Sequence, residues 1–287
     1  MSKIEDALKK AKHEQDRIGN QSTSLVRRLS GSRPAVQHNR EIVSHSSSAR
    51  EIALMNDGES IDNKTLSELK IIYSEMHDTQ VANTYRGLRT ALMQKSNGQN
   101  FVVMITSCSS ETDDSNICLN MANSFAFDES KTSLIIDCNL NSPKIDSILS
   151  IDTGYGLTDY LENENLDLES IIYRTGIKRL RAIPVGTSRE TSIEYFTSKK
   201  MRQLMEELLH RYSDRYIFID SAPIAESADT RILIELCDYV VLVVPYGTCT
   251  VTKIKSAVDA IGKDRLLGLV FSEIPPGIRK IRKLLKI

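Results

Sequence analysis

Two aspartates and an acidic loop stand where predicted strands end. The runs SLIID (133–137) and YIFID (216–220) finish in Asp137 and Asp220, and the run FVVMIT (101–106) continues into the loop SCSSETDDS. A strand, a loop and a helix N-terminus can together hold a phosphate group, because backbone N–H groups at a helix start attract anions. These residues therefore predict a phosphate-binding site or the remnant of one.

Plainer interpretations of the same acids remain open. Asp137 and Asp220 could be strand-end residues that only cap loops. Glu111, Asp113 and Asp114 could form a solvated acidic turn at the start of the helix near 115, since acids are favoured at a helix N-terminus. A third alternative is a remodelled divalent-metal site built from Asp113, Asp114, Asp137 and Asp220, although no metal-ligand spacing supports it.

The elements that must position these residues alternate along the chain. A helical region at 66–96 comes first and ends near Asn97-Gly98. Apolar runs follow at 101–106, 133–137, 179–185, 216–220, 239–244 and 266–271, with helix-like stretches at 115–128, 156–173, 198–212, 227–237 and 250–262. Continuous apolar strands alternating with helices predict a doubly wound, mainly parallel α/β sheet, in which ligands bind at the carboxyl ends of the strands.

The chain divides into three regions. Residues 1–18 predict an amphipathic helix, with Ile4, Ala7, Leu8, Ala11 and Ile18 on one face. Residues 19–64 are polar and lack a hydrophobic period, so we expect a disordered linker. Residues 65–287 form the predicted α/β domain with its helical lead-in.

Composition narrows the class of protein. The 287 residues contain 37 Lys and Arg against 38 Asp and Glu, which excludes a generic polyanion binder, so no nucleic-acid partner is expected. No apolar run approaches the roughly 20 residues that span a bilayer, and the charged N-terminus is unlike a signal peptide. We therefore expect a cytoplasmic protein whose five cysteines are buried structural thiols.

A family resemblance rests on the order and spacing of five segments, which read TYRGLRTAL (84–92), VVMITS (102–107), IIDCNLNSP (135–143), IFIDSAPI (217–224) and VVLVVPYGTCTV (240–251). In these segments the sequence resembles the cytoplasmic kinase domain of bacterial tyrosine kinases (BY-kinases), in the subgroup of exopolysaccharide- and exosortase-associated autokinases. The resemblance implies a P-loop NTPase-like fold related to the MinD and ParA ATPases. It also implies that Arg86 and Arg89 contact other subunits of an oligomer.

The phosphate-binding (Walker A) loop departs from the family pattern. Within the relic loop 107–115, which opens at Ser107, Glu111 and Asp113 stand where the family has glycines and Asp114 stands where it has lysine. Ser115 keeps the magnesium-binding hydroxyl, and by resemblance Ser115, Asp137 and Asp220 are the relic metal ligands. Glycines permit backbone conformations that other residues avoid, and the lysine supplies positive charge. The loop is therefore degenerate.

Further family features are missing. Asn139 occupies an acidic position, Asn141 and Ser142 replace basic residues, and Ser272 replaces an adenine-binding asparagine; Tyr246 is the last tyrosine. These losses predict a pseudokinase without enzymatic activity, for which no cofactor is expected. We expect it to act as a scaffold or regulator of the inner-membrane polysaccharide co-polymerase that determines chain length, and to self-associate.

Two alternatives remain open. One is an active tyrosine autokinase that uses ATP and magnesium. The other is a MinD-like adaptor peripheral to the inner membrane, because the tail IRKIRKLLKI (278–287) carries five basic residues beside an apolar stripe that suits an anionic membrane surface.

Overall fold

The apolar runs of the sequence form one sheet. The computed structural model describes residues 52, 55, 57–76, 79–110, 114–187, 192–211 and 214–272. Within them the strands are β1 Val102–Ser107, β2 Thr132–Asp137, β3 Tyr173–Arg174, β4 Leu180–Ile183, β5 Arg215–Asp220, β6 Tyr239–Pro245 and β7 Leu266–Ser272. Their order across the sheet is β3-β4-β2-β5-β1-β6-β7, and every pairing is parallel except that of the short edge strand β3 with β4.

Helices lie between the strands. They are α1 Asn63–Glu68, α2 Thr79–Lys95, α3 Asp114–Ala126, α4 Ile145–Leu149, α5 Leu157–Glu162, α6 Ser192–Thr197, α7 Lys199–Arg211, α8 Ala228–Leu233 and α9 Val251–Ile261, with 3-10 turns at Leu168–Ile171 and Ile234–Leu236. The predicted doubly wound, mainly parallel architecture is confirmed. Among the described residues, no helix is both long and apolar enough to cross a bilayer.

Two hydrophobic cores, one on each face, explain why the strands read as continuous apolar runs. Val102 and Met104 of β1 point into one core, and Val103 and Ile105 point into the other. The second core contains an aromatic group in which the rings of Phe101 and Tyr216 lie 4.7 Å apart. Because both faces are covered, alternation of polar and apolar residues is absent.

One predicted helix is wrong. The stretch 156–173 was expected to be a single helix, but it divides into α5, a 3-10 turn and β3. Gly156 caps α5 where a Cβ atom would lie 2.5 Å from the Pro184 carbonyl, and Asn163 ends α5 in an extended conformation. The β-branched pair Ile171 and Ile172 then leads into the edge strand. Helix α5 therefore begins where Gly156 packs closely against residues 184–186, a contact that local sequence does not reveal.

Residues that the sequence assigned to the linker form hydrogen bonds with the α/β domain and its lead-in. Asp57, which was assigned to the linker, accepts hydrogen bonds from the Arg179 backbone and the Arg181 guanidinium. Asp62 caps α1 through the backbone N–H groups of Lys64 and Thr65. The predicted helix 1–18, most of the linker 19–64, the acids Glu111 and Asp113, and the tail 278–287 lie outside the described residues.

Candidate functional site

Three strand ends meet at one edge of the sheet. Asp137 at the end of β2 and Ile105 near the end of β1 are both paired in register with Asp220 at the end of β5. Ser107 ends β1 immediately beyond, and helix α3 begins at Asp114. The structure therefore brings the described site residues that the sequence singled out to the edge where ligands of parallel sheets bind.

Asp114 points inward and not into solvent. Its side chain is buried, with 4% of the residue exposed, and its Oδ2 atom lies 2.7 Å from the Ser107 hydroxyl. The same hydroxyl lies 2.9 Å from the Ser109 carbonyl. A hydroxyl carries one proton, so Ser107 can donate to only one of these acceptors at a time. Asp114 is thus part of a buried polar network, contrary to the expectation of a solvated acidic turn.

Asp137 is fully engaged by the backbone. Its Oδ1 accepts from the Asn139 N–H at 3.0 Å, and its Oδ2 accepts from the N–H groups of Lys144 and Ile145 at 3.0 and 3.1 Å. These bonds tie the end of β2 to the first turn of α4. Asp137 therefore has the loop-capping role that the sequence left open.

The side chains of Asp220 and Ser115 lack such hydrogen bonds among the described residues. Both carboxylate oxygens of Asp220 and the hydroxyl of Ser115 are buried, and none has a hydrogen-bonding partner among the described residues. The Ser115 hydroxyl is near enough to lower the pKa of Asp220 slightly, but the two groups do not meet hydrogen-bond geometry. Unpaired buried oxygens of this kind suit an absent cation or a proton.

Burial governs the charge of the site. It raises the pKa of Asp114, raises that of Asp137 to about 6, and holds that of Asp220 well above its ordinary value. The charges of Asp137 and Asp114 raise the pKa of Asp220 further, whereas the Lys144 ammonium opposes the rise at Asp114 and Asp220. The three carboxyl groups therefore disfavour one another's charged forms, and Lys144 opposes this at Asp114 and Asp220.

Lys144 and Glu226 are site residues that sequence reasoning missed. Glu226, in the segment between β5 and α8, accepts a hydrogen bond from the Ser110 N–H of the relic loop at 3.1 Å. In a phosphate-binding loop such an N–H group would face the anion. The sequence did contain a signal for both residues. Lys144 closely follows β2 and Glu226 closely follows β5, and both strands end at the site.

The remaining relic positions have local roles. The Asn139 side chain accepts from the Ser142 N–H at 3.2 Å, which stabilises the turn after β2. The Tyr246 N–H donates to the Ser272 carbonyl at 3.1 Å and extends the pairing of β6 with β7. The buried Ser272 hydroxyl has no hydrogen-bonding partner among the described residues.

The two arginines predicted to contact other subunits differ. Arg89 of α2 binds within its own chain, to the Ser124 carbonyl at 3.2 Å and the Asp128 carboxylate at 3.1 Å, with its guanidinium 5.7 Å from the Phe125 ring centre. The Arg86 guanidinium donates to the Asn83 side-chain carbonyl on the same helix at 3.0 Å. Both line a groove of about 580 Å³ along α2.

The described site residues are mostly acidic. Ser115 and Asp220 offer oxygens that suit a divalent cation, and Asp114 adds a buried carboxyl group at the start of α3. Even so, no three His, Cys, Asp or Glu side chains in the described part of the chain group closely enough to hold a metal ion.

Comparison with known proteins identifies the family, although no protein-family model matches the chain. The tyrosine-protein kinase YwqD of Bacillus subtilis is 30% identical over 191 residues, covering 66% of this chain and 79% of YwqD. The tyrosine-protein kinase CpsD of Streptococcus pneumoniae is 28% identical over 215 residues, covering 74% of this chain and 93% of CpsD. The solved VpsO kinase domain superposes with a TM-score of 0.61 at 26% identity, covering 68% of this chain and 96% of that domain. The chain therefore belongs to the bacterial tyrosine-kinase family.

Proposed function

We propose that this chain is a pseudokinase: a BY-kinase fold that no longer binds nucleotide and acts as a scaffold or regulator. The observation that carries the proposal is the placement of Asp114. It stands at the lysine position of the family, bonds to Ser107 inside the relic loop, and adds its charge to those of Asp137 and Asp220.

The electrostatic penalty is large. Two unit charges about 4 Å apart at an effective dielectric of about 20 interact by about 4 kcal/mol. Exchanging the attraction of a lysine for the repulsion of a carboxylate changes the binding free energy by up to about 8 kcal/mol. Even half of that change lowers the affinity about a thousandfold.

A second contact supports the same conclusion. The Ser110 N–H, which lies in the relic loop, already donates to Glu226. A phosphate would have to displace this carboxylate, and the displaced negative charge would remain nearby. The Glu226 carboxylate therefore already occupies an N–H group that a bound phosphate would otherwise use.

The cellular setting follows from the family resemblance. We place the protein with the machinery that polymerises and exports polysaccharide at the inner membrane, where the chain-length co-polymerase is the natural partner. In this role the domain acts through its surface and its oligomeric contacts.

Calorimetric titration with ATP and ADP, each with magnesium, tests the proposal. We expect affinities no tighter than millimolar, and no phosphotyrosine by mass spectrometry after incubation with ATP. Micromolar binding, or phosphotyrosine in the purified protein, would instead establish the alternative of an active autokinase. That alternative draws its support from the unpaired oxygens of Ser115 and Asp220, which suit a magnesium ion.

A further inference from the structure

Two of the five cysteines lie close together at the start of the relic loop. Cys108 directly follows β1 and is buried, whereas Cys249 lies between β6 and α9 and is only partly buried. Cys249 is thus an exception to the prediction that all five thiols are buried. Both side chains pack in the same hydrophobic core, and the Cys249 thiol is near enough to raise the pKa of Cys108.

The sheet brings this pair together. Ser107 pairs in register with Val243, and the Cys108 N–H donates to the Val243 carbonyl at 3.1 Å. Strand β6 ends at Pro245, and the following turn returns Cys249 to the end of β1 just before Thr250 caps α9. The contact therefore joins segments that are far apart in the sequence but adjacent at the carboxyl edge of the sheet.

The other three thiols are placed differently. Cys118 lies in the core on the opposite face of the sheet, and the Cys237 thiol donates to the Leu233 carbonyl at 3.1 Å. Cys138 is buried at the end of β2. Among the five, only Cys249 combines partial exposure with a second thiol near enough for the two to interact.

We propose that Cys108 and Cys249 are a redox modification site that forms a reversible intrachain disulfide, with hydrogen peroxide as the oxidant. A disulfide requires Cβ atoms about 3.5–4.5 Å apart. Cys108 and Cys249 follow the ends of neighbouring strands, so rotation of the two side chains and a small shift of the turn after β6 would bring them to this geometry. The pairing is independent of whether the relic loop binds nucleotide.

The chemistry assigns a different role to each sulfur. The partly exposed Cys249 thiolate attacks peroxide, so that an S–O bond forms, the O–O bond breaks, and the released hydroxide takes up a proton to become water. The sulfur of Cys108 then attacks that of Cys249, forming the S–S bond and expelling a second hydroxide, which takes the Cys108 proton. Two thiols lose two electrons in total, and one peroxide becomes two waters.

The surroundings of Cys108 exclude it from the first step. Burial and the nearby Cys249 thiol raise the pKa of Cys108 to about 12, so Cys108 is not the thiolate that meets peroxide. The Lys253 ammonium acts in the opposite direction and favours loss of the Cys108 proton as its sulfur attacks Cys249. Once formed, the bond would fasten the start of the relic loop to the turn before α9.

Peroxide treatment of the full-length protein tests the site. After oxidation, free thiols are alkylated in denaturant and non-reduced peptides are analysed by mass spectrometry. We expect a linked peptide pair containing Cys108 and Cys249, lighter than the two reduced peptides by two hydrogen atoms and abolished by dithiothreitol. Alkylation at Cys108 and Cys249 should fall by the same fraction, while that at Cys118, Cys138 and Cys237 is unchanged.

Variants make the outcome decisive. Cys249→Ser removes a partly exposed side chain, is expected to fold, and should abolish the link, whereas Cys237→Ala should retain it. In Cys108→Ala, Cys249 should accumulate as sulfenic acid that a dimedone probe captures. The proposal is overturned if Cys249 is oxidised while Cys108 stays fully alkylatable, if the link joins two chains, or if it involves one of the other three cysteines.

Discussion

Replacing Asp114 first by asparagine and then by lysine should restore nucleotide affinity in two steps. Asp114→Asn removes a repulsive charge and keeps the shape of the side chain that bonds to Ser107. Asp114→Lys also adds the positive charge that the family uses at this position. The two variants therefore separate the loss of repulsion from the gain of attraction.

The size of each step follows from the charges of the site. One unit charge about 4 Å from a phosphate contributes about 4 kcal/mol at a dielectric of about 20, and screening by water and ions reduces this to about 2 kcal/mol. Each step should then raise the affinity about 30-fold, so the lysine variant gains about a thousandfold. Starting from millimolar, that corresponds to micromolar binding.

Calorimetric titration with ATP and magnesium measures both steps, and circular dichroism checks that each variant folds. Asp146→Asn is the matched control, because it removes a charge on α4 that raises the pKa of Asp137 but lies outside the relic loop. Its affinity should stay close to that of the wild type. Adding Gly at 111 and 113 to the lysine variant should increase binding again by relieving the loop backbone.

Two results would refute this reasoning. One is wild-type binding at micromolar concentration, which would mean that Asp114 does not repel phosphate. The other is a folded Asp114→Lys variant whose affinity equals that of Asp146→Asn, which would place the obstacle elsewhere, with Asn139 and Ser272 the first residues to test.

Three further predictions concern pH, the α2 helix and the tail. Burial and the charges of Asp137 and Asp114 hold the pKa of Asp220 well above 3.8, so the stability that protonated Asp220 contributes is complete at low pH and is lost as pH rises. Because asparagine cannot ionise, urea unfolding should show Asp220→Asn gaining stability over the wild type at pH 8 but not at pH 4, and a lower stability than the wild type at pH 8 would contradict this. Arg89→Ala should lower the free energy of unfolding by about 1–2 kcal/mol, because Arg89 binds the C-terminal end of α3 and Asp128. Arg86→Ala should change the free energy of unfolding by less than about 0.5 kcal/mol. Light scattering of Arg86→Ala tests the predicted subunit contact, and an unchanged oligomer would show that Arg86 does not contribute to it. The full chain should sediment with anionic but not neutral liposomes at low salt, because each basic residue of the tail near an anionic surface contributes about 1 kcal/mol of binding free energy. Deletion of 278–287 should abolish this sedimentation. Equal sedimentation of the deletion variant would assign the membrane affinity to another segment.

The strands and the edge of the sheet that carries the site could be read from the sequence. Runs such as SLIID and YIFID are apolar throughout because both faces of the sheet are covered, and their final aspartates mark the carboxyl edge. The family resemblance then aligned Asp114 with the position at which the family has lysine. These features depend on local composition and order along the chain, which sequence records directly.

The state of the site residues was decided by the tertiary structure. No local pattern indicates that Asp137 caps α4, or that the Asp220 carboxylate has no hydrogen-bonding partner among the described residues. Nor does one indicate that Glu226 reaches the Ser110 N–H or that Arg89 binds the end of α3. Cys108 and Cys249 meet for the same reason, since β1 and β6 are neighbours in the sheet but distant in the chain. Burial and hydrogen bonding depend on which strand ends become neighbours, and only the folded sheet determines that order.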